Sequence, residues 1–314
     1  GQPGVAGLHG GQQVDAAVVW SPDDQACLQA VAGSRILQST KSASNIIADA
    51  FIAKRSWAEQ NRDKLRKLYE GWMKGAAEIN ANDGNKRKAA KILAENFSGF
   101  TEDDAYAAIN NVRLATHGDN VNFFGLNPEY KGVTGEQLYS RMTTSYKSLG
   151  YAEGKIPNWR IISDPVSIRN TQLAGPDHAG EGAKSFVKVS DEVGKEKEAI
   201  ATKQVSITFR TGEFALDENA KFIVDKEMVE IAKAFSNSRI RVEGNTDNTG
   251  SIVTNQTLSR KRAQSVVDYL VTVHGMNRNR FVVVGNGPGK PVSSNDTEEG
   301  KAKNRRTDFQ LIGE

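Results

Sequence analysis

The stretch from Arg239 to Leu270, RIRVEGNTDNTGSIVTNQTLSRKRAQSVVDYL, constrains this chain more than any other. Alternating Ile240 and Val242 predict a strand. Gly244, Asn245, Asp247, Asn248 and Gly250 predict a turn directly after it. Ala263, Val266, Val267 and Leu270 then fall on one face of a helix. The arrangement places Asp247, at the strand exit, near Arg262 on that helix. In a turn of Asn, Thr and Gly, side chains cap backbone groups and exposed N–H groups bind anions. Arg262 offers a planar fork suited to a carboxylate. Together the acid and the base would receive a zwitterion that carries its ammonium and its carboxylate on one carbon. Read as residues alone, the pair fits equally an internal Asp247–Arg262 ion pair, or an Asp247 that caps the following helix.

The 314 residues exceed one ordinary domain, so two are expected. With 38% hydrophobic and 25% charged residues, each half can build a packed core. A net charge of +3, from 41 basic and 38 acidic residues without a block of like sign, argues against a nucleic-acid partner. Cys27 stands alone, which excludes a disulfide framework and a cysteine-based zinc site. No run approaches the roughly 18 apolar residues of a membrane span. The chain begins GQPGVAGLHGG without methionine, which implies processing or a longer precursor, with any export signal already removed.

The polar stretch from Gly175 to Gln204 reads as a linker between a region 1–174 and a region 205–314. Downstream, Val205, Ile207 and Phe209 alternate as a strand, and a helix from about Asp217 buries Val224, Met228, Ile231, Ala232 and Phe235. The Ile240 strand, the Arg262 helix, a Phe281–Val284 strand and a last strand with Phe309 and Leu311 complete the order. Such alternation predicts an α/β sandwich with helices packed on a mixed sheet. Upstream, VDAAVVW (Val14–Trp20), Ile36–Thr40 and part of Asn45–Lys54 read as strands. Long helices follow, one with Leu65, Leu68, Tyr69, Trp72, Ala76 and Ile79 on its inner face. Another starts at Thr101, and a third opens at the capping box Thr134–Gln137, turns Leu138, Met142, Ser145 and Leu149 inward and ends at Gly150. Asp164-Pro165 reads as an N-cap and first helical position. Trp57, Trp72, Tyr69 and Tyr146 are expected in the core, and Phe123 and Phe124 as a buried loop anchor.

Three segments carry a family resemblance: Gly244-Asn-Thr-Asp-Asn-Thr-Gly250, Asn255 through Ala263, and Asn304-Arg305-Arg306. They match in order and spacing the signature of the OmpA-like peptidoglycan-binding domain, and the likeness covers Val205 to Glu314. The resemblance implies non-covalent binding of peptidoglycan through the meso-diaminopimelate of its stem peptide. The Asp and Arg that hold the free amino-acid end of that residue fall on Asp247 and Arg262. Thr246 and Asn248 would shape the turn, Asn255, Leu258 and Ser259 would line or brace the pocket, and Arg305 would be a second anion contact. Asn245 stands where the family usually has His or Tyr, and Asn286 where an aromatic is common. The loss of ring area implies lower affinity.

Val14–Asp23, Ile36–Thr40, Asn45–Asn61 and Gly118–Asn127 resemble the second half of type II periplasmic substrate-binding proteins of the nitrate, sulfonate and phosphate type, over about residues 5–174. The resemblance implies a partial α/β domain whose missing early strands would precede Gly1. It places Trp20, Ser21, Thr40 and Ser42 near a cleft for a small anionic solute, although each taken singly reads more readily as an ordinary strand-end residue.

His9, His117, His178 and His274 are scattered without metal-ligand spacing, and there is no G-x-S-x-G elbow. Gly285–Lys290 lacks phosphate-loop spacing, and Pro288 and Pro291 remove N–H donors from it. No enzyme and no cofactor are expected. The reading is a periplasmic protein of a Gram-negative envelope, tethered to the wall through its C-terminal domain. Its rivals are a solute receptor or sensor of an ABC-type uptake system, positioned by that domain, and a scaffold that has lost its ligand.

Overall fold

The structure is a computed structural model and describes residues 14–20, 23–37, 39, 49–98, 101–183, 185–207, 209 and 212–313. The chain divides into two compact units, one of residues 1–41, 49–126 and 152–182, the other of 42–48, 127–151 and 183–314.

The described part of the first unit is helical, with α1 (Asp23–Ala30), α2 (Arg55–Gln60), α3 (Arg62–Ala81), α4 (Asp83–Asn96), α5 (Glu102–Asn111) and α6 (His117–Phe123). The second unit contributes α7 (Gly135–Ser148) before the chain returns to the first for α8 (Trp159–Ile162) and α9 (Val166–Arg169). Helix starts follow side-chain chemistry. Thr101, Thr116 and Thr134 each close a capping box, with Asp104, Asp119 and Gln137. Asp164 accepts the Val166 N–H, and Gly150, at φ 75°, follows α7 in the left-handed conformation.

Several expectations for this region are overturned. Residues 14–20, 34–37 and 49–54 are not strands. Val18, Trp20, Leu37, Phe51 and Ile52 are exposed, and an apolar run without a paired neighbour has nothing to hold it extended. The buried face of α3 is Met73, Ala76 and Ala77. Leu68 and Trp72 lie outside it, because small side chains let neighbouring helices approach closely. Trp57 and Tyr146 are also exposed, as are Ser145 and Leu149 at the end of α7. Trp72 instead meets Phe51 edge-on at 5.0 Å, and Tyr69 is half-buried against His117. Phe123 and Phe124 are half-buried, and both pack on Trp159, at 6.0 and 5.9 Å.

In the second unit, α10 (Asp191–Glu196) precedes β1 (Ala199–Val205). Helix α11 (Glu218–Val224) passes through one π-helical turn into α12 (Glu230–Ala234), and β2 (Arg239–Gly244), α13 (Ile252–Thr272), β3 (Phe281–Gly285), α14 (Glu298–Asn304) and β4 (Thr307–Ile312) follow. The sheet order is β1-β4-β2-β3, with β2 and β3 parallel and β4 antiparallel to both β1 and β2. The expected α/β sandwich with a mixed sheet is therefore present. Its first strand lies earlier than expected and ends at Val205 rather than starting there. As an edge strand it carries Lys203 and Gln204, and so lacks the apolar alternation that marks a half-buried strand.

One face of the sheet buries Ile240, Val242, Phe281, Val283, Phe309 and Leu311 under Ala263, Val266, Val267 and Leu270 of α13 and Val224, Met228 and Ala232 of the preceding helices. The other face carries Val282, Val284 and Ile312. Within the stretch read as a linker, α10 packs on this side: Asp191 accepts the Val283 N–H at 3.0 Å, and Arg241 Nη1 donates to the carbonyls of Gly194, Lys195 and Lys197 at 3.0, 2.8 and 2.7 Å.

The helix and the sheet meet most closely at two paired glycines. A Cβ on Gly244 would stand 2.1 Å from the Ser259 carbonyl oxygen, and one on Gly285 would stand 2.6 Å from the Arg260 backbone nitrogen. Backbone cannot yield as a side-chain tip can, so Gly244→Ala is expected to destabilise the domain by about 1–3 kcal/mol or more. Denaturant unfolding of the full chain measures this.

Candidate functional site

The topology gathers three chain segments at one end of the sheet. The parallel strands β2 and β3 finish level, Gly244 beside Gly285, and antiparallel β4 begins there, Thr307 beside Gly244. The loops after β2 and β3 and the residues before β4 therefore converge, with the first turns of α13 above them.

Asp247 sits in the β2–α13 turn, its side chain one-tenth exposed. Its Oδ1 accepts the Thr249 N–H at 2.9 Å, closing an Asx turn, and its Oδ2 accepts Arg305 Nη1 at 2.6 Å. Burial works against its negative charge, but Arg305 and Thr249 outweigh that and hold the carboxyl below the ordinary Asp value of 3.8. Ser251, not Asp247, caps α13 by accepting the Thr254 N–H. Arg262 is buried on α13, its Nε donating to the Glu213 carbonyl at 3.0 Å and its guanidinium 4.8 Å from the Phe209 ring centre. Burial lowers its pKa, the nearby Asp247 charge opposes this, and Arg305 adds to it.

The other candidate positions fall around this group. Asn255 Nδ2 donates to the Thr249 carbonyl at 2.9 Å and fastens the turn to the helix. Ser259 Oγ accepts the Gly287 N–H at 2.9 Å, and the Thr246 N–H donates to the Gly287 carbonyl at 2.9 Å. Thr246 Oγ1 is buried without a hydrogen-bond partner. Asn248 is exposed on the turn, and Leu258 is half-buried.

Beneath the turn lies a polar network that the sequence did not announce. Asn286 Nδ2 donates to Glu243 Oε2 at 2.8 Å and to Asn245 Oδ1 at 3.0 Å, and Asn245 Nδ2 donates to Asp308 Oδ2 at 3.1 Å. Lys290 also reaches Glu243 Oε2, at 2.8 Å. Arg241 Nε lies 2.9 Å from Glu243 Oε1 but aims its hydrogen at Gln310 Oε1, 2.6 Å away, so that carboxylate oxygen is held by charge alone. Arg306 grips Asp308 through Nε and Nη2, both at 3.0 Å. Glu243 and Asp308 are register partners across β2 and β4, a like-charge pair that such donors must compensate. Burial pushes Asp308 above the usual carboxylate range, opposed by Arg306. Burial also acts to raise Glu243, but Lys290, Asn286 and Arg241 bring it below its ordinary value. Asn245 and Asn286, the two departures from the family signature, are thus buried and bonded to each other, and the Gly285–Lys290 loop buttresses the site.

Of the solute-cleft positions, Trp20 is exposed, and Ser21, Thr40 and Ser42 lie outside the described residues. The scattered histidines acquire neighbours in space: His178 Nδ1 lies 2.8 Å from Glu181 Oε1, and His274 Nε2 lies 2.7 Å from Asp225 Oδ1. His117 Nδ1 faces the Tyr69 hydroxyl at 2.8 Å. Among the described residues no group of three or more His, Cys, Asp or Glu side chains could hold a metal ion. No helix among them is long and apolar enough to cross a membrane.

A strand–turn–helix with an acid in the turn and an arginine on the helix, closed by an Asn-Arg-Arg entry to the last strand, defines the class of domain. Residues 208–305 match the OmpA family, and the chain carries a C-terminal OmpA family domain. Over 111 residues it is 34% identical to outer membrane porin F of Pseudomonas aeruginosa, covering 35% of this chain and 31% of that protein. Over 77 residues it is 46% identical to the peptidoglycan-binding protein ArfA of Mycobacterium tuberculosis, covering 24% and 23%. The chain spans less than half the length of the curated relatives it matches. Among solved structures, the peptidoglycan-associated lipoprotein from Burkholderia pseudomallei aligns at 25% identity and a TM-score of 0.30, over 35% of this chain and 89% of that one. The two curated relatives are named as a porin and a peptidoglycan-binding protein.

Removing one partner of the buried Arg306–Asp308 pair strands the other charge. Arg306→Met is expected to lower stability by about 3–5 kcal/mol, read as a lower denaturant midpoint with an unchanged slope.

Proposed function

We propose that the C-terminal domain binds peptidoglycan non-covalently by receiving the free amino-acid centre of meso-diaminopimelate, and so anchors the rest of the chain to the cell wall in the periplasm. The observation that carries this reading is the meeting of Asp247, Arg262 and Arg305 at one end of the sheet. One carboxylate and two guanidiniums leave a net positive site, which suits a ligand carboxylate, while Asp247 suits the ammonium on the same carbon. The relative named as a peptidoglycan-binding protein supports the same reading. The cargo is the N-terminal part, which resembles type II solute-binding proteins in sequence. Its described residues form helices, so the anchoring role rather than a receptor role is the one the geometry favours.

Asp247→Ala and Arg262→Ala are each expected to abolish co-sedimentation with diaminopimelate-type walls without unfolding the chain. Walls of the lysine type, which lack the paired carboxylate, should not retain the wild type. Retention of both variants on diaminopimelate-type walls would remove the assignment.

The depressed carboxyl of Asp247 fixes the sign of the pH dependence. The charged form binds, and it persists until pH falls through a value below 3.8. Wall binding should therefore hold at about pH 5 and be lost only below the ordinary Asp value of 3.8. Loss already near neutrality would point to a histidine instead.

A further inference from the structure

The site already contains its own cation. Both oxygens of Asp247 are engaged without any ligand, Oδ1 by the Thr249 N–H and Oδ2 by Arg305 Nη1. The two arginines beside this carboxylate are built differently. Arg262 is buried, held by the Glu213 carbonyl and stacked on Phe209. Arg305 follows the short helix α14, its side chain is 42% exposed, and a single nitrogen reaches Asp247. One guanidinium is therefore fixed, and the other is attached at one point on a long, half-solvated stem. Burial and then Arg305 work against the charge on Arg262, and Asp247 supports it.

A zwitterion resolves this imbalance in a way that no single charge can. Its ammonium replaces Arg305 at Oδ2, and its carboxylate gives the released guanidinium a partner beside Arg262. A bare amine would displace Arg305 and leave that guanidinium without the carboxylate it had. A bare carboxylate would leave the Asp247–Arg305 bond untouched and gain only Arg262.

We infer that Arg305 is an exchangeable counter-ion of Asp247, which is displaced by the ligand's ammonium, moves to the ligand's carboxylate, and so makes the site selective for the two groups together. This rests on the peptidoglycan reading of the same site and adds to it a residue that sets specificity. The exchange breaks one ion pair and forms two, and no covalent bond changes.

The test compares three probes on the full chain by calorimetry: meso-diaminopimelate, pimelate, which lacks the amines, and cadaverine, which lacks the carboxylates. Wild type should prefer diaminopimelate. Arg305→Met unmasks Asp247, so cadaverine should bind roughly three- to fivefold more tightly than to wild type, and the preference for diaminopimelate should shrink at least as much. Diaminopimelate bound by both proteins with an unchanged preference over cadaverine would overturn the exchange while leaving the wall-binding reading intact. Failure of the wild type to bind diaminopimelate would overturn that reading and the exchange with it. A second measurement needs no variant. The Arg305 side-chain nitrogen resonances should shift when diaminopimelate is added and stay in place with pimelate, and a resonance that ignores diaminopimelate would also overturn the exchange.

Discussion

The contact between the backbone of α13 and the ends of β2 and β3 sets the position of everything at the site. Side chains normally keep a helix backbone clear of the sheet it packs on, but Gly244 and Gly285 leave room for the Ser259 and Arg260 backbone to approach the strands directly. With the helix pinned there, Asn255 reaches down to the Thr249 carbonyl, Ser259 accepts the Gly287 N–H, and Arg262 donates to the Glu213 carbonyl. Three loops are thereby tied to one rigid helix. The arrangement of these loops is then held by backbone contact as well as by side-chain packing.

The network under the turn shows how a like-charge register pair is accommodated. Glu243 and Asp308 face each other across β2 and β4, and each is nearly inaccessible to water. Arg241, Lys290 and Arg306 supply the charge, and the Asn245–Asn286 amide pair carries hydrogen bonds between the two acids. A ring without a donor at either asparagine position would leave those acids short of hydrogen bonds. The substitutions that read as a loss of aromatic area are, in this chain, part of what keeps its acids compensated.

How far the fold was legible depended on the range of the signal. The β2–turn–α13 unit was fully readable, because its strand, turn and helix patterns lie within one continuous stretch, and the helix from Asp217 was readable for the same reason. The bond from Arg305 to Asp247 was not, since it joins residues 58 apart and exists only because β4 runs antiparallel to β2. Edge strand β1 was misplaced because its pattern is polar, and α3 was rotated because alanines rather than Trp72 make its contacts. The run Val14–Trp20 misled in the opposite sense. It has the composition of a buried strand, and hydropathy alone does not report whether a neighbouring strand is there to pair with it.

The clamp of Arg241 on the carbonyls of Gly194, Lys195 and Lys197 has a mechanical side. A pull arriving through the chain ahead of residue 185 reaches the Arg239 bond to the Val187 carbonyl first, then the Asp191 bonds to Val283 and Arg260, and then this clamp, before it loads β1. The bonds that carry it join α10 to β2 and to the edge strand β3, so the load is shared between two strands before any of it falls on β1. The turn that holds Asp247 lies beyond the strand end and outside that line of force. Tension along the chain would reach the sheet before it reached that turn.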